Sequence, residues 1–178
     1  MRGCRAISRW IPVVAALTLV GAARDPGVRV RLDLERFELV AVDARRPAEP
    51  LVLPIATGSP GHPSPTGHYS PHVVVRNPGW QPGVQARAWG AEAMEPSDHT
   101  PMGVAKIPLS GDGFALHGGA NPILVGKPVS LGCVRLSDSD MLAFLDWLDR
   151  AGALAKARPA ANGEILQPLR RPVAFEVR

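Results

Sequence analysis

Cysteine is nearly missing from this sequence: only Cys4 and Cys133 occur in 178 residues. A disulfide framework and a cysteine-rich zinc site are therefore excluded. Aromatic residues are also few, with one Tyr, four Phe and four Trp, and they are not interleaved with basic residues. A base-stacking platform for single-stranded nucleic acid is not expected. Long apolar stretches are confined to residues 10–22, broken only by Thr18. No later stretch is long enough to span a bilayer, which takes about 20 residues.

The one apolar stretch follows Arg2, Arg5 and Arg9 and ends in Val20-Gly21-Ala22-Ala23. A basic start, a short apolar run and small residues at its end read as a secretory signal peptide over 1–23. The mature chain is expected to begin near Arg24 and to be soluble. Removing three arginines and no acid lowers the formal charge from +4 to +1, so basicity gives no reason to expect a nucleic-acid partner. Cys4 leaves with the signal, and it precedes the apolar run, where lipid attachment is badly served. Cys133 then stands alone in an exported chain. A lone cysteine there is either a reactive thiol or an inert small hydrophobe.

What the chain does hold is glycine and proline, 18 and 19 residues, which favours turns and short strands over long helices. Residues 24–178 suit one domain, and no internal repeat is visible. Val28, Val30, Leu32 and Leu34 alternate with charged residues, as in a half-buried strand. Residues 37–42 read as its hairpin partner and 51–56 as a third strand, with Pro54 marking an edge or a bulge. Residues 57–67 form a rigid irregular loop, and 68–76 return to strand. Residues 77–100, with Trp80 and Trp89, are long and aperiodic: a lid over a site or an insertion. Short strands are expected over 101–109, 113–117 and 173–177. The best helix is 137–150: Ser137 and Asp140 resemble a capping box, Met141, Phe144, Leu145 and Leu148 share one face, and Gly152 stands at its end. The fold class is mainly β, a β-rich α+β domain, with its core at about 28–150.

The chemistry concentrates in two segments. Leu116-His117-Gly118-Gly119 ends a strand, and Ser130-Leu131-Gly132-Cys133-Val134-Arg135-Leu136 leads into the helix. A thiolate is the nucleophilic form of cysteine, and an imidazole at hydrogen-bond reach can take its proton. That pairing predicts an accessible Cys133 with a depressed pKa. The N–H groups of Gly132 and Cys133 are candidate oxyanion donors. His117 needs a partner to set its tautomer, either an acid (Asp112, Asp138 and Asp140 are near in sequence) or a backbone carbonyl. His62, His68, His72 and His99 match no zinc spacing, so neither a metal nor another cofactor is expected.

The pattern H-G-G…S-L-G-C-V-R-L resembles the YkuD-type L,D-transpeptidase family. Ser64-Pro65-Thr66-Gly67 is similar to the family's P-T-G turn, and Thr100-Pro101-Met102-Gly103 to its N-P-L-G segment. The resemblance implies a mixed β-sheet sandwich with one main helix after the cysteine, occupying 24–178 as a single catalytic domain. It further implies a periplasmic or cell-wall enzyme that acts on peptidoglycan stem peptides; nothing in the sequence requires more than a monomer. Cys133 would form a thioester with the donor tetrapeptide and pass it to an acceptor amine, giving a 3→3 cross-link; the alternatives are an L,D-carboxypeptidase or endopeptidase that hydrolyses the same bond, and a non-catalytic peptidoglycan-binding module that keeps the fold. His117 would be the base, the Gly118 carbonyl would orient it, and Gly132 and Cys133 would supply oxyanion donors. Ser130 and Arg135 carry over as residues that shape the site, Arg135 either holding a substrate carboxylate or bracing the loop. Where many members have a histidine between the motif serine and glycine, this chain has Leu131.

Overall fold

The computed structural model describes residues 27–178; the expected signal peptide and Cys4 lie outside the described residues. The strands in chain order are β1 (Val28–Asp33), β2 (Glu38–Asp43), β3 (Leu51–Pro54), β4 (Thr57–Gly58), β5 (Gly67–Tyr69) and β6 (Val73–Arg76). A short helix α1 (Val84–Ala88) precedes β7 (Ala105–Pro108), β8 (Ala115–His117), β9 (Pro128–Ser130) and β10 (Val134–Arg135). The main helix α2 (Asp138–Arg150) is followed by β11 (Arg158–Pro159), β12 (Ile165–Pro168) and β13 (Val173–Val177). The described residues are thus mainly β with one substantial helix.

Five strands form one sheet in the order β3-β2-β1-β13-β5, and six form a second in the order β10-β8-β7-β6-β12-β11. Both are mixed: β13 runs parallel to β1 and β10 parallel to β8. The alternation in β1 buries Val28, Val30 and Leu32. Pro54 ends β3, the outer strand of its sheet, where a missing N–H breaks no ladder. The hairpin turn extends to Phe37, which adopts φ 55°, so β2 starts one residue later than its apolar pattern suggests.

The single strand expected over 68–76 is two strands on different sheets. β5 edges the first sheet, β6 lies inside the second, and Ser70-Pro71-His72 makes the corner. Pro71 lacks the N–H that a continuous strand would need there. The stretch between Ala153 and residue 173, where the sequence pattern suggests no element, contains β12, which pairs with β6. Residues 77–100 are not wholly irregular either: they hold α1 and a bridge between Trp80 and Met94.

Helix α2 closes the core. Ser137 caps it by accepting the Asp140 N–H at 3.1 Å. Met141, Phe144, Leu145 and Leu148 are fully buried, each worth about 1.5–3 kcal/mol of apolar transfer. The Phe144 ring meets Phe175 of β13 edge to face at 6.5 Å. At the far end Gly152 takes φ 66°, while its N–H and that of Ala153 reach the Asp149 and Leu148 carbonyls. This is the Schellman ending, and a side chain at 152 would be strained in it. Beyond it, buried Arg171 donates to Asp43 at 2.8 Å and to the Ala151 carbonyl, tying the helix end to β2. No helix among the described residues is long and apolar enough to cross a membrane.

Candidate active site

The site lies where β8 and β10 run side by side. Arg135 stands opposite His117, and His117 stands opposite Lys106 of β7. Paired residues of a ladder point to the same face, so a cation flanks the histidine on either side. One position before the β10 ladder begins, Cys133 lies beside Ala115, whose N–H faces the thiol. Cys133 and His117 are therefore diagonal neighbours two residues apart along adjacent strands. Strand rise and spacing put such Cα atoms about 8 Å apart, within reach of a histidine and a cysteine turned toward each other.

His117 is completely buried. Its Nδ1 lies 2.7 Å from the Gly118 carbonyl. A carbonyl only accepts, so Nδ1 carries the proton and Nε2 the lone pair of the neutral ring. Nε2 itself is buried without a hydrogen-bond partner. Burial first, and then the Arg135 charge, push the His117 pKa down to about 3, with the Gly118 carbonyl opposing. The ring is a neutral imidazole at pH 7, with an open acceptor.

Cys133 is half-buried and its Sγ donates to the Gly113 carbonyl at 3.6 Å. No hydrogen bond joins it to His117 Nε2. Burial pushes the thiol above its ordinary value; the Ala115 N–H and Arg135 oppose this, and Asp112 adds to it. The depressed thiol pKa expected from the pairing is thus corrected. Residue spacing suggests proximity, but it carries no information on desolvation.

The turn before Cys133 is held from within. Ser130 is buried, and its hydroxyl donates to the Cys133 carbonyl at 2.5 Å while accepting the Gly132 N–H at 3.1 Å. The Gly132 N–H, expected to face an oxyanion, is engaged by Ser130 instead. Gly132 adopts φ 118°, a conformation that fits glycine and strains other residues. Arg135 was expected to brace the loop or to hold a carboxylate. Its Nε is buried and unpartnered, and no ion pair or hydrogen bond ties its guanidinium to a described residue.

Two features escaped the sequence. The loop after β4 docks on the site: the Ser59 N–H reaches the Ser130 carbonyl at 2.9 Å and the His62 carbonyl lies 4.0 Å from where a Gly132 side chain would start. Lys106 reaches the Gly79 carbonyl and Glu164 at 3.4 Å each, so the root of the 77–100 segment lies on the His117 face. Both require the strand register, which residue types alone do not supply. Trp89 is exposed on the residue after α1. Among the described residues no group of histidine, cysteine and carboxylate side chains could hold a metal ion. A cavity of about 240 Å³ lined by Asp43, Arg46, Glu49, Trp147 and Arg150 lies at the end of α2 and contains no nucleophile.

Fold and site together define a β-rich protein with a histidine on one strand and a cysteine immediately before the parallel strand beside it in a mixed sheet. The chain belongs to the L,D-transpeptidase catalytic domain family, YkuD, whose family model matches residues 27–165. Among solved structures it is similar to L,D-transpeptidase 3 from Mycobacterium tuberculosis in complex with a faropenem-derived adduct, at 17% identity and a TM-score of 0.52, over 84% of this chain and 60% of that one. It is likewise similar to an L,D-transpeptidase from Mycobacterium tuberculosis H37Rv, at 16% identity and a TM-score of 0.52, over 85% and 57% of the two chains. The same holds for an L,D-transpeptidase from Stackebrandtia nassauensis, at 16% identity and a TM-score of 0.50, over 92% and 61%. These likenesses establish the fold, and the chain spans about three-fifths of the solved chains it matches. No curated protein matches it.

Proposed function

We propose that the protein is a peptidoglycan L,D-transpeptidase that forms 3→3 cross-links through a thioester on Cys133. The observation that carries this reading is the neutral, buried His117: its Nδ1–H is fixed on Gly118 and its Nε2 lone pair is open on the face it shares with Cys133. Because the thiol and the imidazole are both neutral, the thiol loses its proton to Nε2 as sulfur attacks the donor carbonyl, rather than before. This needs the Cys133 side chain to leave the Gly113 carbonyl and turn to Nε2.

Attack on the carbonyl between the diamino acid and the terminal D-alanine of a tetrapeptide stem gives a tetrahedral oxyanion. With the Gly132 N–H held by Ser130, the Cys133 N–H is the donor the motif offers to it, and the Arg135 guanidinium adds positive potential. Collapse expels D-alanine, whose amine takes the proton back from His117. An acceptor amine from a second stem then resolves the thioester. No cofactor is required, and a monomer suffices. The N-terminal segment 1–23 supports export to the periplasm or cell wall, where such stems are found.

The test is incubation of the mature protein with tetrapeptide muropeptides and mass spectrometry of the products. Dimers with loss of D-alanine are expected, and Cys133→Ala should abolish them while leaving the fold intact. Tripeptides alone would mean that water, not an amine, resolves the thioester. An unchanged mixture from folded wild-type protein would overturn the enzymatic reading.

A further inference from the structure

We infer that Asp138 is a positioning residue for His117, acting through the peptide bond between Gly118 and Gly119; the inference rests on His117 being the base. Asp138 is the first residue of α2. Its Oδ1 accepts two backbone N–H groups, those of Gly119 and Val104, both at 2.9 Å. Gly119 N–H belongs to the same planar peptide unit as the Gly118 carbonyl, which receives the His117 Nδ1–H at 2.7 Å. Carboxylate, peptide and imidazole therefore form one chain. Rotating that peptide plane to release Asp138 would also turn the carbonyl away from the ring.

The surroundings are built around this carboxylate. A side chain at Gly103 or at Gly118 would begin 2.2 or 2.3 Å from Asp138 Oδ1, so only glycine leaves it room at either place. Gly103 also takes φ 64°. The second bond, to Val104, holds the turn that carries the Met102 carbonyl, another group acting on the His117 ring. The helix does not need this carboxylate as its cap. Ser137 caps α2 on the Asp140 N–H and in turn donates to the Asp140 carboxylate at 2.6 Å. Asp138 thus spends its acceptor on the histidine loop rather than on its own helix. A carbonyl aligned and polarised in this way keeps the imidazole in the Nδ1–H tautomer that leaves Nε2 free, and strengthens its hold as positive charge develops on the ring.

The test compares Asp138→Asn, Asp138→Glu and Asp138→Ala with the wild type by two readouts. The first is the ¹⁵N–¹H spectrum of the His117 ring, which reports its tautomer; the second is acylation by a tetrapeptide donor, split into kcat and KM. Asn keeps an acceptor in place and should retain the Nδ1–H tautomer, with kcat within about threefold of wild type. Glu keeps the charge at the helix start but moves it by a methylene out of the glycine cradle. Glu and Ala should give a mixed tautomer and a kcat lowered about 10- to 100-fold, with KM little changed. A wild-type tautomer and kcat in the Glu and Ala variants would overturn the inference, and so would an Asn variant as impaired as Glu. Should Ala not fold, the Asn and Glu pair decides. Wild-type protein inactive toward muropeptides would count against the proposed reaction, while the ring spectra would still decide the role of Asp138.

Discussion

Cys133 should behave as an ordinary, even sluggish, thiol toward a small electrophile, although it is the proposed nucleophile. An ion pair would require His117 to hold a proton. With the imidazole pKa near 3, about one ring in ten thousand is protonated at pH 7. The thiol, raised by burial above its ordinary value of 9.0, is then at most about 1% thiolate at that pH. Both shifts oppose the ion pair, so moving the proton from thiol to imidazole in the resting site is steeply uphill. The assay is iodoacetamide alkylation of Cys133 from pH 5 to 10, followed by mass spectrometry, for wild type and His117→Gln. The rate should climb with pH without levelling below 8, and the two proteins should agree within about twofold. Acylation by a tetrapeptide should nonetheless fall about 10²- to 10⁴-fold in His117→Gln, because only there does the proton move as the bond forms. A flat alkylation rate between pH 5 and 7 that disappears in His117→Gln would refute the reasoning, since it marks a preformed thiolate–imidazolium pair.

The same histidine should make folding sensitive to mild acid. A folded pKa below the unfolded 6.5 means that the unfolded chain binds more protons between about pH 3 and 6.5, so stability rises with pH across that window. Thermal melts of the wild type should drop over it by an amount that His117→Gln reduces. Arg171→Met should cost about 3–5 kcal/mol in urea unfolding, because it strands the buried Asp43 carboxylate. The Arg171 hydrogen bond holds the Asp43 pKa below the usual carboxylate range, so that pair's stabilisation is complete above about pH 4 and lost in stronger acid. Gly132→Ala should lose about 1–3 kcal/mol of stability to its positive φ. It should also reduce acylation more than Leu131→Ala does, since residue 131 is partly exposed while 132 sets the turn into Cys133.

How much was legible in the sequence depended on how local its cause was. The alternation of β1, the capped and one-sided α2 and its Gly152 ending all arise from neighbours in the chain, and they stand as read. Pro71 marked a corner, but its short flanks looked like one strand, because nothing local says that Gly67–Tyr69 and Val73–Arg76 join different sheets. β12 was missed because Ile165-Leu166-Gln167-Pro168 has no alternation; its strand character comes from β6 beside it. At the site, the proximity of His117 and Cys133 was readable from the motif. The Ser130 bond to the Gly132 N–H, the desolvation of both reactive groups and the two bonds to Asp138 depend on distances that no spacing encodes.

The parallel pairing of β1 with β13 bears on when the protein can fold. Val28 is matched with Val173, so the centre of the first sheet is closed by residues about 145 positions apart. Contacts so distant in sequence form slowly, since a long loop must close before it is rewarded. At the usual pace of synthesis that second partner arrives on the order of ten seconds after the first. Until then β1, β2 and β3 form a meander with an open edge on β1, and the inner face on which Phe144 meets Phe175 is incomplete. The centre of the first sheet therefore cannot close until synthesis is nearly finished, whatever the order in which the rest of the domain assembles.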